Sequence, residues 1–466
     1  MWSGDDLRRE ERSSLRRVAA LDKGAEREEG VDVEYRQLRL ERVVLVGLQT
    51  EGSAQEAEES LRELADLAQT AGAQVLDGLI QRRSMPDPAT YLGSGKAKEL
   101  AELVASVQAD TVIVDCELAP SQRRALEDIV GVKLIDRTAL ILDIFAHHAR
   151  SREGKAQVEL AQLEYLLPRL RGWGESMSRQ AGGRVAAGAG IGSRGPGETK
   201  IELDRRRIRT RMAKLRKDIQ RMKPAREAQR SSRRRNATPA VVIVGYTNAG
   251  KSSLLNTLTH SDVLVENALF ATLDPTVRRA VTPSGRSYTL TDTVGFVRNL
   301  PTQLVEAFRS TLEEAAGADV LLHVVDASHS DPVGQVRAVR EVLAEIEGVD
   351  DAREIIVLSK ADIADPVDIA ALRSRFEGSI AVSVVTGEGI DELCAAIDEA
   401  IDTLRIEVAL TIPYSQGSFV ARIHEEGELL EAESYSEEGT FIHARIDEAL
   451  AGALREAGLL KETSHA

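Results

Sequence analysis

Cysteine and long apolar segments are scarce in this sequence, and each shortage excludes a class of protein. The 466 residues include two cysteines, Cys116 and Cys394, which lie far apart without nearby ligand residues. Neither a disulfide framework nor a zinc site is therefore expected. No apolar stretch approaches the ~20 residues of a membrane span, and the amino terminus, rich in Arg and Glu, has no secretory hydrophobic segment. We expect a cytoplasmic protein without integral membrane association.

The chain also lacks an overall positive charge. Its formal net charge is −15, which by itself argues against a nucleic acid partner. The distribution of charge changes this interpretation, because basic residues outnumber acidic ones by about four to one between Lys200 and Arg235. This segment fits contact with nucleic acid phosphates, although a run of arginine on a helix is often only a solvated face. No DNA partner is expected.

What the sequence does contain is typical of a soluble globular protein, with 42% hydrophobic and 29% charged residues. Its length suggests roughly three structural units. Alternating strand and helix patterns predict an α/β multidomain fold, with a doubly wound central domain and a small α+β domain at the carboxyl end. The predicted segments are a flexible tail at 1–37, an N-terminal α/β domain at 38–150, a helical hairpin with a glycine-rich tip and basic linker at 151–236, the central domain at 237–405 and the last domain at 406–466.

The most specific motif is GYTNAGKS at positions 245–252, which follows an apolar strand and opens a helix with apolar periodicity. This is the setting of a phosphate loop, in which backbone N–H groups and a helix N-terminus hold phosphates. Lys251 is predicted to reach the β- and γ-phosphates, and Ser252 to supply a hydroxyl ligand for Mg²⁺. The predicted loop contacts are Gly245, Tyr246, Thr247, Asn248, Ala249, Gly250, Lys251, Ser252 and Ser253.

Three further motifs follow in the order that a guanine-nucleotide switch protein requires. Thr272 is predicted to sense the γ-phosphate and complete the Mg²⁺ shell, and Asp292 and Gly295 end the next strand beside the metal and the γ-phosphate. Asp362, after the strand that ends in SKAD, is predicted to accept hydrogen bonds from guanine, with the Lys360 stem against the base. The catalytic set is Lys251, Thr272, Asp292 and Gly295, with Ser252 and Thr272 as Mg²⁺ ligands. The remaining predicted nucleotide contacts are Phe270, Ala271, Leu273, Asp274, Thr293, Val294, Ser359, Ala361, Ser383, Val384 and Val385.

Two positions differ from common switch GTPases. Phe296 stands where many carry a glutamine that orients the attacking water, so we expect slow turnover alone and stimulation by a partner; simple packing of this ring is equally compatible. Ser359 stands where asparagine usually bonds guanine N7 and braces the phosphate loop. The shorter side chain predicts a base contact weaker by ~1 kcal/mol.

Several segments resemble the HflX family of translation-associated GTPases, from about Leu40 to the end of the chain. They are YLGSGK at 91–96, GKAQVELAQLEYLLPRL at 154–170, GIGSRGPGETK at 190–200, LFATLDPT at 269–276 and DTVGF at 292–296. The resemblance implies an N-terminal domain that contacts the ribosome through its hairpin, a central G domain and a short C-terminal domain. It also implies GTP hydrolysis, binding to the large (50S) ribosomal subunit and its RNA, and separation of stalled or idle ribosomes under stress.

Two function classes remain open. The chain is either a GTP-hydrolysing ribosome factor, or a nucleotide-sensing module that binds ribosomal or other RNA and does not need hydrolysis. A monomer is the simpler expectation for either, because a hairpin tip that enters an RNA cavity must stay unobstructed.

Overall fold

A computed structural model describes residues 42–50, 53–169, 196–235, 238–260, 269–270, 272–298, 314–346, 349 and 352–460. For 196–201 and 225–235 it describes the helical backbone alone. These residues all belong to one compact unit, Leu40–Ala466. The predicted tail at 1–37 and most of the predicted glycine-rich tip lie outside the described residues.

The first domain is a parallel four-stranded sheet with helices packed on it. Buried aliphatic side chains of the strands and helices form one core cluster that includes Val44, Val46, Leu100 and Leu126. Ser53 and Glu56 form a reciprocal capping box that fixes the start of the first helix. The strand order is β2-β1-β3-β4. The elements are β1 (Arg42–Gln49), α1 (Ala54–Thr70), β2 (Gln74–Arg82), α2 (Ser94–Val107), β3 (Thr111–Val114), α3 (Pro120–Val130), β4 (Lys133–Asp136) and α4 (Arg137–His148).

Two longer helices follow, α5 (Arg152–Arg169) and α6 (Pro196–Arg235). They pack through a small apolar cluster whose buried members are Leu163, Ile208, Met212 and Leu215. Ion pairs flank this cluster, with N–O distances of 2.6 Å for Arg211–Glu159 and 2.7 Å for Arg216–Glu164. The apolar stripe on α6 is narrow, and most of its described surface is basic and exposed. The two predicted helices are thus present and in contact.

The central domain is a six-stranded sheet in the order β10-β9-β8-β5-β7-β6, in which only the edge pair β6–β7 is antiparallel among the described pairings. Helices separate the strands, and β5 and β8 are almost completely buried. This confirms the predicted doubly wound domain. Its elements are β5 (Ala240–Gly245), α7 (Lys251–Thr259), β6 (Thr276–Val281), β7 (Ser287–Asp292), β8 (Val320–Asp326), α8 (Pro332–Leu343), β9 (Arg353–Ser359), α9 (Pro366–Arg375), β10 (Ile380–Ala381) and α10 (Ile390–Asp402).

The last domain is α+β, as predicted. Its antiparallel strands gather around β14, where Ile442, Ala444 and Ile446 alternate with more exposed residues and face a core shared with two helices. The elements are β11 (Ile406–Ile412), α11 (Gly417–Glu426), β12 (Glu428–Leu429), β13 (Ser434–Tyr435), β14 (Thr440–Ile446) and α12 (Glu448–Glu456). Within the described part of the chain, no helix is both long and apolar enough to cross a membrane.

Candidate nucleotide-binding site

The loop between β5 and α7 has the backbone of a phosphate-binding turn. Gly245 has φ 150°, and a Cβ there would lie 2.2 Å from the carbonyl oxygen of Val324 on the neighbouring strand. Only glycine fits that approach. Gly250 has φ 90° immediately before the first turn of α7, another conformation that favours glycine. The N-terminal N–H groups of α7 therefore face the loop interior, where a phosphate would be bound.

Lys251 lies buried inside this loop. Its Nζ donates a hydrogen bond to the carbonyl oxygen of Tyr246 at 2.6 Å. Burial lowers the pKa of this amine to about 8, although the nearby Asp292 carboxylate acts in the opposite direction. A phosphate oxygen beside Nζ would favour the ammonium form, so the position suits an anionic ligand.

Three oxygen-bearing side chains meet beside the first turn of α7. Ser252 Oγ lies 2.8 Å from Thr272 Oγ1 and donates to Asp292 Oδ2 at 2.6 Å. Asp292 Oδ1 is buried and has no hydrogen-bond partner among the described residues. Burial raises the pKa of this carboxyl group, while Lys251, Ser252 and Thr272 lower it. Hard oxygen donors around one unsatisfied buried carboxylate oxygen fit Mg²⁺.

The segment after β7, residues 292–298, is called switch II below, and it lies directly against the phosphate loop. A Cβ on Gly295 would be 2.8 Å from Thr247 Cα and 2.9 Å from Lys251 Nζ, so a side chain is excluded. Phe296 is 1% exposed, and its carbonyl oxygen accepts a hydrogen bond from the Thr247 N–H at 2.8 Å. Its ring is thus a packed group, the simple interpretation that the sequence left open.

The side chains predicted to contact guanine gather at the carboxyl ends of β9 and β10. Asp362 is exposed, and its Oδ1 accepts a hydrogen bond from Ser383 Oγ at 2.7 Å. Lys360 has φ 57°, and its Nζ lies 2.6 Å from Asp326 Oδ2. The Ser383 N–H donates to the carbonyl oxygen of Glu388, so this amide is engaged within the loop. Ser383 therefore orients Asp362 through its hydroxyl, and its predicted contact with the nucleotide stays a prediction.

Two predicted nucleotide contacts have other partners. They lie in switch I, the name used below for residues 269–276. Phe270 packs edge-to-face on Phe145 of α4, with ring centroids 4.5 Å apart. Asp274 accepts hydrogen bonds from the N–H groups of Arg150 at 2.9 Å and Ser151 at 2.7 Å, and also from the Ser151 hydroxyl. Both side chains therefore contact the N-terminal part of the chain, and their predicted contacts with the nucleotide stay predictions.

The other predicted positions support the loop or border it. Thr247 Oγ1 is buried without a partner among the described residues, and Asn248 is exposed with φ 57°. Thr293 Oγ1 donates to the carbonyl oxygen of Ile243 at 2.7 Å, so its role is to hold switch II on β5. Ala271 lies outside the described residues. The rest are Ala249, Leu273 and Val294, which are buried, Ser253, Ala361 and Val384, which are partly buried, and Val385, which is exposed.

A group of contacts that no sequence pattern indicates joins the phosphate loop to the first domain. It is here called the junction (Glu63, Asp115, Arg137, Tyr246 and Arg298). The Arg137 guanidinium pairs with Glu63 and with Asp115, and donates to the Arg298 carbonyl oxygen at 3.0 Å. The Tyr246 hydroxyl bonds Glu63 and accepts from the Arg298 N–H. Burial, followed by the Glu63 carboxylate, raises the pKa of Tyr246 above its ordinary range. The junction thus connects α1 and α4 to both the phosphate loop and switch II.

A phosphate loop on a doubly wound sheet, an oxygen cluster suited to Mg²⁺ and an exposed aspartate at the base edge together define a P-loop GTPase. Comparison with known proteins places the chain within that class. Four family descriptions match in chain order: a GTP-binding GTPase N-terminal domain at 58–146, its middle region at 148–233, a 50S ribosome-binding GTPase at 240–360 and an HflX C-terminal domain at 368–464. The chain belongs to the HflX family of GTPases.

Two relatives named GTPase HflX agree with this assignment. A GTPase HflX from Caldanaerobacter subterraneus is 46% identical over 87% of this chain and 91% of its own length. One from Escherichia coli is 41% identical over 82% of this chain and 88% of its own length. Among solved structures, a GTP-binding protein from Sulfolobus solfataricus in complex with GDP covers 78% of this chain and 99% of that chain, at 25% identity and a TM-score of 0.41.

Proposed function

We propose that this GTPase binds GTP with Mg²⁺ and docks on the large (50S) ribosomal subunit, where contact with the ribosome accelerates GTP hydrolysis. Its task in this proposal is to split or rescue stalled or idle ribosomes under stress, as a cytoplasmic monomer. The family description matched by residues 240–360, a 50S ribosome-binding GTPase, supports the choice of partner.

One observation carries the proposal: switch I contacts the metal-ligand cluster and the start of the helical hairpin at the same time. Thr272 lies beside Ser252 in the oxygen cluster. Two residues later, Asp274 caps the chain at Ser151, immediately before α5 begins at Arg152. A carboxylate in that position satisfies free N–H groups and favours the positive end of the helix dipole. A change in switch I on loss of the γ-phosphate would therefore reach the hairpin directly.

The hairpin offers a surface that suits RNA. Most described basic residues of α6 are exposed, among them Arg206, Arg209 and Lys217. A basic face along one helix attracts nucleic acid phosphates, although the chain as a whole is acidic. This supports ribosomal RNA as the contact.

Mg²⁺, when bound, would neutralise charge on the phosphates. Ser252 and Thr272 are the proposed ligands, with Asp292 holding the ion through water. Lys251 would bind phosphate oxygens, and the Gly295 N–H would bind the γ-phosphate. Because the Phe296 ring is buried and has no hydrogen-bonding group, the attacking water must be oriented by another group, and a ribosomal component is the proposed source.

The same buried ring favours a second candidate, a nucleotide-sensing ribosome- or RNA-binding module whose role needs binding but not hydrolysis. A non-hydrolysable GTP analogue separates the two. The hydrolysing factor would stop after one round of its effect on ribosomes with the analogue. The binding module would continue through repeated rounds.

The deciding experiment measures GTP hydrolysis by the purified full chain with and without large ribosomal subunits, with Lys251→Ala as the blank. We expect strong stimulation that is absent in the blank. Asp274→Ala should lower the stimulation roughly 5- to 30-fold, the equivalent of a helix cap worth ~1–2 kcal/mol. Asp398→Ala is the matched control, because Asp398 accepts a similar hydrogen bond from Ser284 Oγ at 2.7 Å, outside the nucleotide site.

Stimulation that is equal in Asp274→Ala and Asp398→Ala would contradict the coupling through switch I. Absence of any stimulation, with binding to the large subunit intact, would contradict ribosome-activated hydrolysis and favour the sensing module.

A further inference from the structure

Ser359 lies at the end of β9 against the phosphate loop and is 4% exposed. Its Oγ donates toward two backbone carbonyl oxygens, that of Ala249 at 2.7 Å and that of Val325 at 3.1 Å. Ala249 belongs to the phosphate loop, and Val325 lies on β8. A serine hydroxyl has one proton, so these two acceptors use its whole donor capacity.

Guanine N7 is a hydrogen-bond acceptor and carries no proton. What remains free on Ser359 Oγ is lone pairs, which are also acceptors, and two acceptors do not bond. We propose that in this chain Ser359 is a positioning residue that braces the phosphate loop, and that guanine N7 is not read by it. This inference rests on the proposed binding of guanine nucleotides and specifies which atoms of the base the site reads.

The N1 and N2 edge of guanine would still be recognised, by Asp362. Asp362 is exposed and is held at one oxygen by Ser383, which leaves acceptor capacity for the N1–H and N2–H groups of guanine. Those donors are present in guanine and absent at the same positions in adenine. The preference for guanine therefore depends on Asp362, while N7 contributes nothing.

An asparagine at 359 would behave differently because its amide has two N–H donors. One could brace Ala249 while the other reaches N7. Gly250 of the phosphate loop lies next to Ser359 and has no side chain, and a Cβ built there would still be 4.0 Å from Ser359 Oγ. The longer side chain therefore has room on the side of the phosphate loop.

The test compares three diphosphates on the full chain by calorimetry: GDP, 7-deaza-GDP, in which N7 is replaced by a C–H group, and inosine diphosphate, which lacks the N2 amino group. Wild type should bind 7-deaza-GDP as tightly as GDP, within about twofold. Inosine diphosphate should bind roughly 10- to 150-fold more weakly, because it loses one hydrogen bond to a charged acceptor.

Two variants complete the test. Ser359→Asn should bind GDP roughly 2- to 12-fold more tightly than wild type, and should acquire a preference for GDP over 7-deaza-GDP of similar size. Ser359→Ala should weaken GDP and 7-deaza-GDP by the same factor, because it removes the brace and leaves the base contacts unchanged. A role confined to stability would not create a preference between these two analogues.

Weaker binding of 7-deaza-GDP to wild type, by more than about threefold, would overturn the proposal even if neither variant folds. If Ser359→Ala weakened the binding of GDP and of 7-deaza-GDP by different factors, the proposal would be overturned as well. Failure of GDP itself to bind would refute the proposed function, whereas GDP binding with a 7-deaza penalty would refute only the role given to Ser359.

Discussion

Replacing Arg137 with methionine should destabilise the chain by about 3–5 kcal/mol, the usual cost of removing one partner from a buried ion pair. The Arg137 side chain is 2% exposed, and its two carboxylate partners, Glu63 and Asp115, are 13% and 8% exposed. Methionine preserves much of the packing volume but leaves both carboxylates buried without their cation. It also removes the donor to the Arg298 carbonyl oxygen in switch II.

The assay is urea unfolding followed by circular dichroism, with the free energy of unfolding taken by linear extrapolation. A double-mutant cycle with Glu63→Gln isolates the pair, and we expect a coupling energy of about 0.5–3 kcal/mol. Arg353→Met is the matched control, since Arg353 pairs with Glu399 at 3.4 Å and the two side chains are 43% and 72% exposed. Loss of this exposed ion pair should lower the free energy of unfolding by no more than about 1 kcal/mol.

Equal effects of Arg137→Met and Arg353→Met would refute the reasoning, because Arg137 is buried between two carboxylates whereas Arg353 meets Glu399 in a solvent-exposed pair. Additive effects of Arg137→Met and Glu63→Gln would also refute it, since residues that share a buried charge contact do not act independently.

Two further changes test the site and the hairpin. Gly295→Ala should lower GTP affinity at least tenfold in calorimetric titration, because its Cβ would lie 2.8 Å from Thr247 Cα. Gly317→Ala is the control and should bind GTP normally, because no atom lies within 4 Å of the added Cβ. Equal GTP affinities of the two variants would contradict this prediction. Leu163→Ala should lower the stability of the hairpin by about 2–5 kcal/mol, seen as faster limited proteolysis of the hairpin. Leu203→Ala, at a 48% exposed position, should change the proteolysis rate little. Indistinguishable proteolysis of these two variants would show that the apolar cluster does not hold the helices together.

The phosphate-loop residues could be predicted from sequence because their chemistry is local. Lys251 and Ser252 follow a buried strand at fixed spacing, and Asp292 and Asp362 follow other strands of the same sheet. Carboxyl ends of parallel strands meet at one edge, so strand patterns alone bring these residues together. In the structure Ser252 donates a hydrogen bond to Asp292, so these two side chains do meet at that edge.

The junction could not be predicted in this way. Glu63 bonds Tyr246 from 183 positions away, and Arg137 reaches Arg298 from 161 positions away. A glutamate on an amphipathic helix is usually solvated, and no local pattern distinguishes one that is buried against another domain. The contact of Asp274 with Ser151 could not be predicted for the same reason, because its neighbour Thr272 lies in the oxygen cluster while Ser151 lies 123 positions away.

The cap at Ser151 also has a mechanical consequence. The 18 residues of α5 give a rigid rod about 27 Å long at 1.5 Å per residue, and it is held by switch I at its first turn. A tilt of about 10° at that end would move the other end by about 5 Å, more than the width of a water molecule. A displacement of that size would break the contacts that Tyr165 and Arg169, near the far end of the helix, make with Asp136.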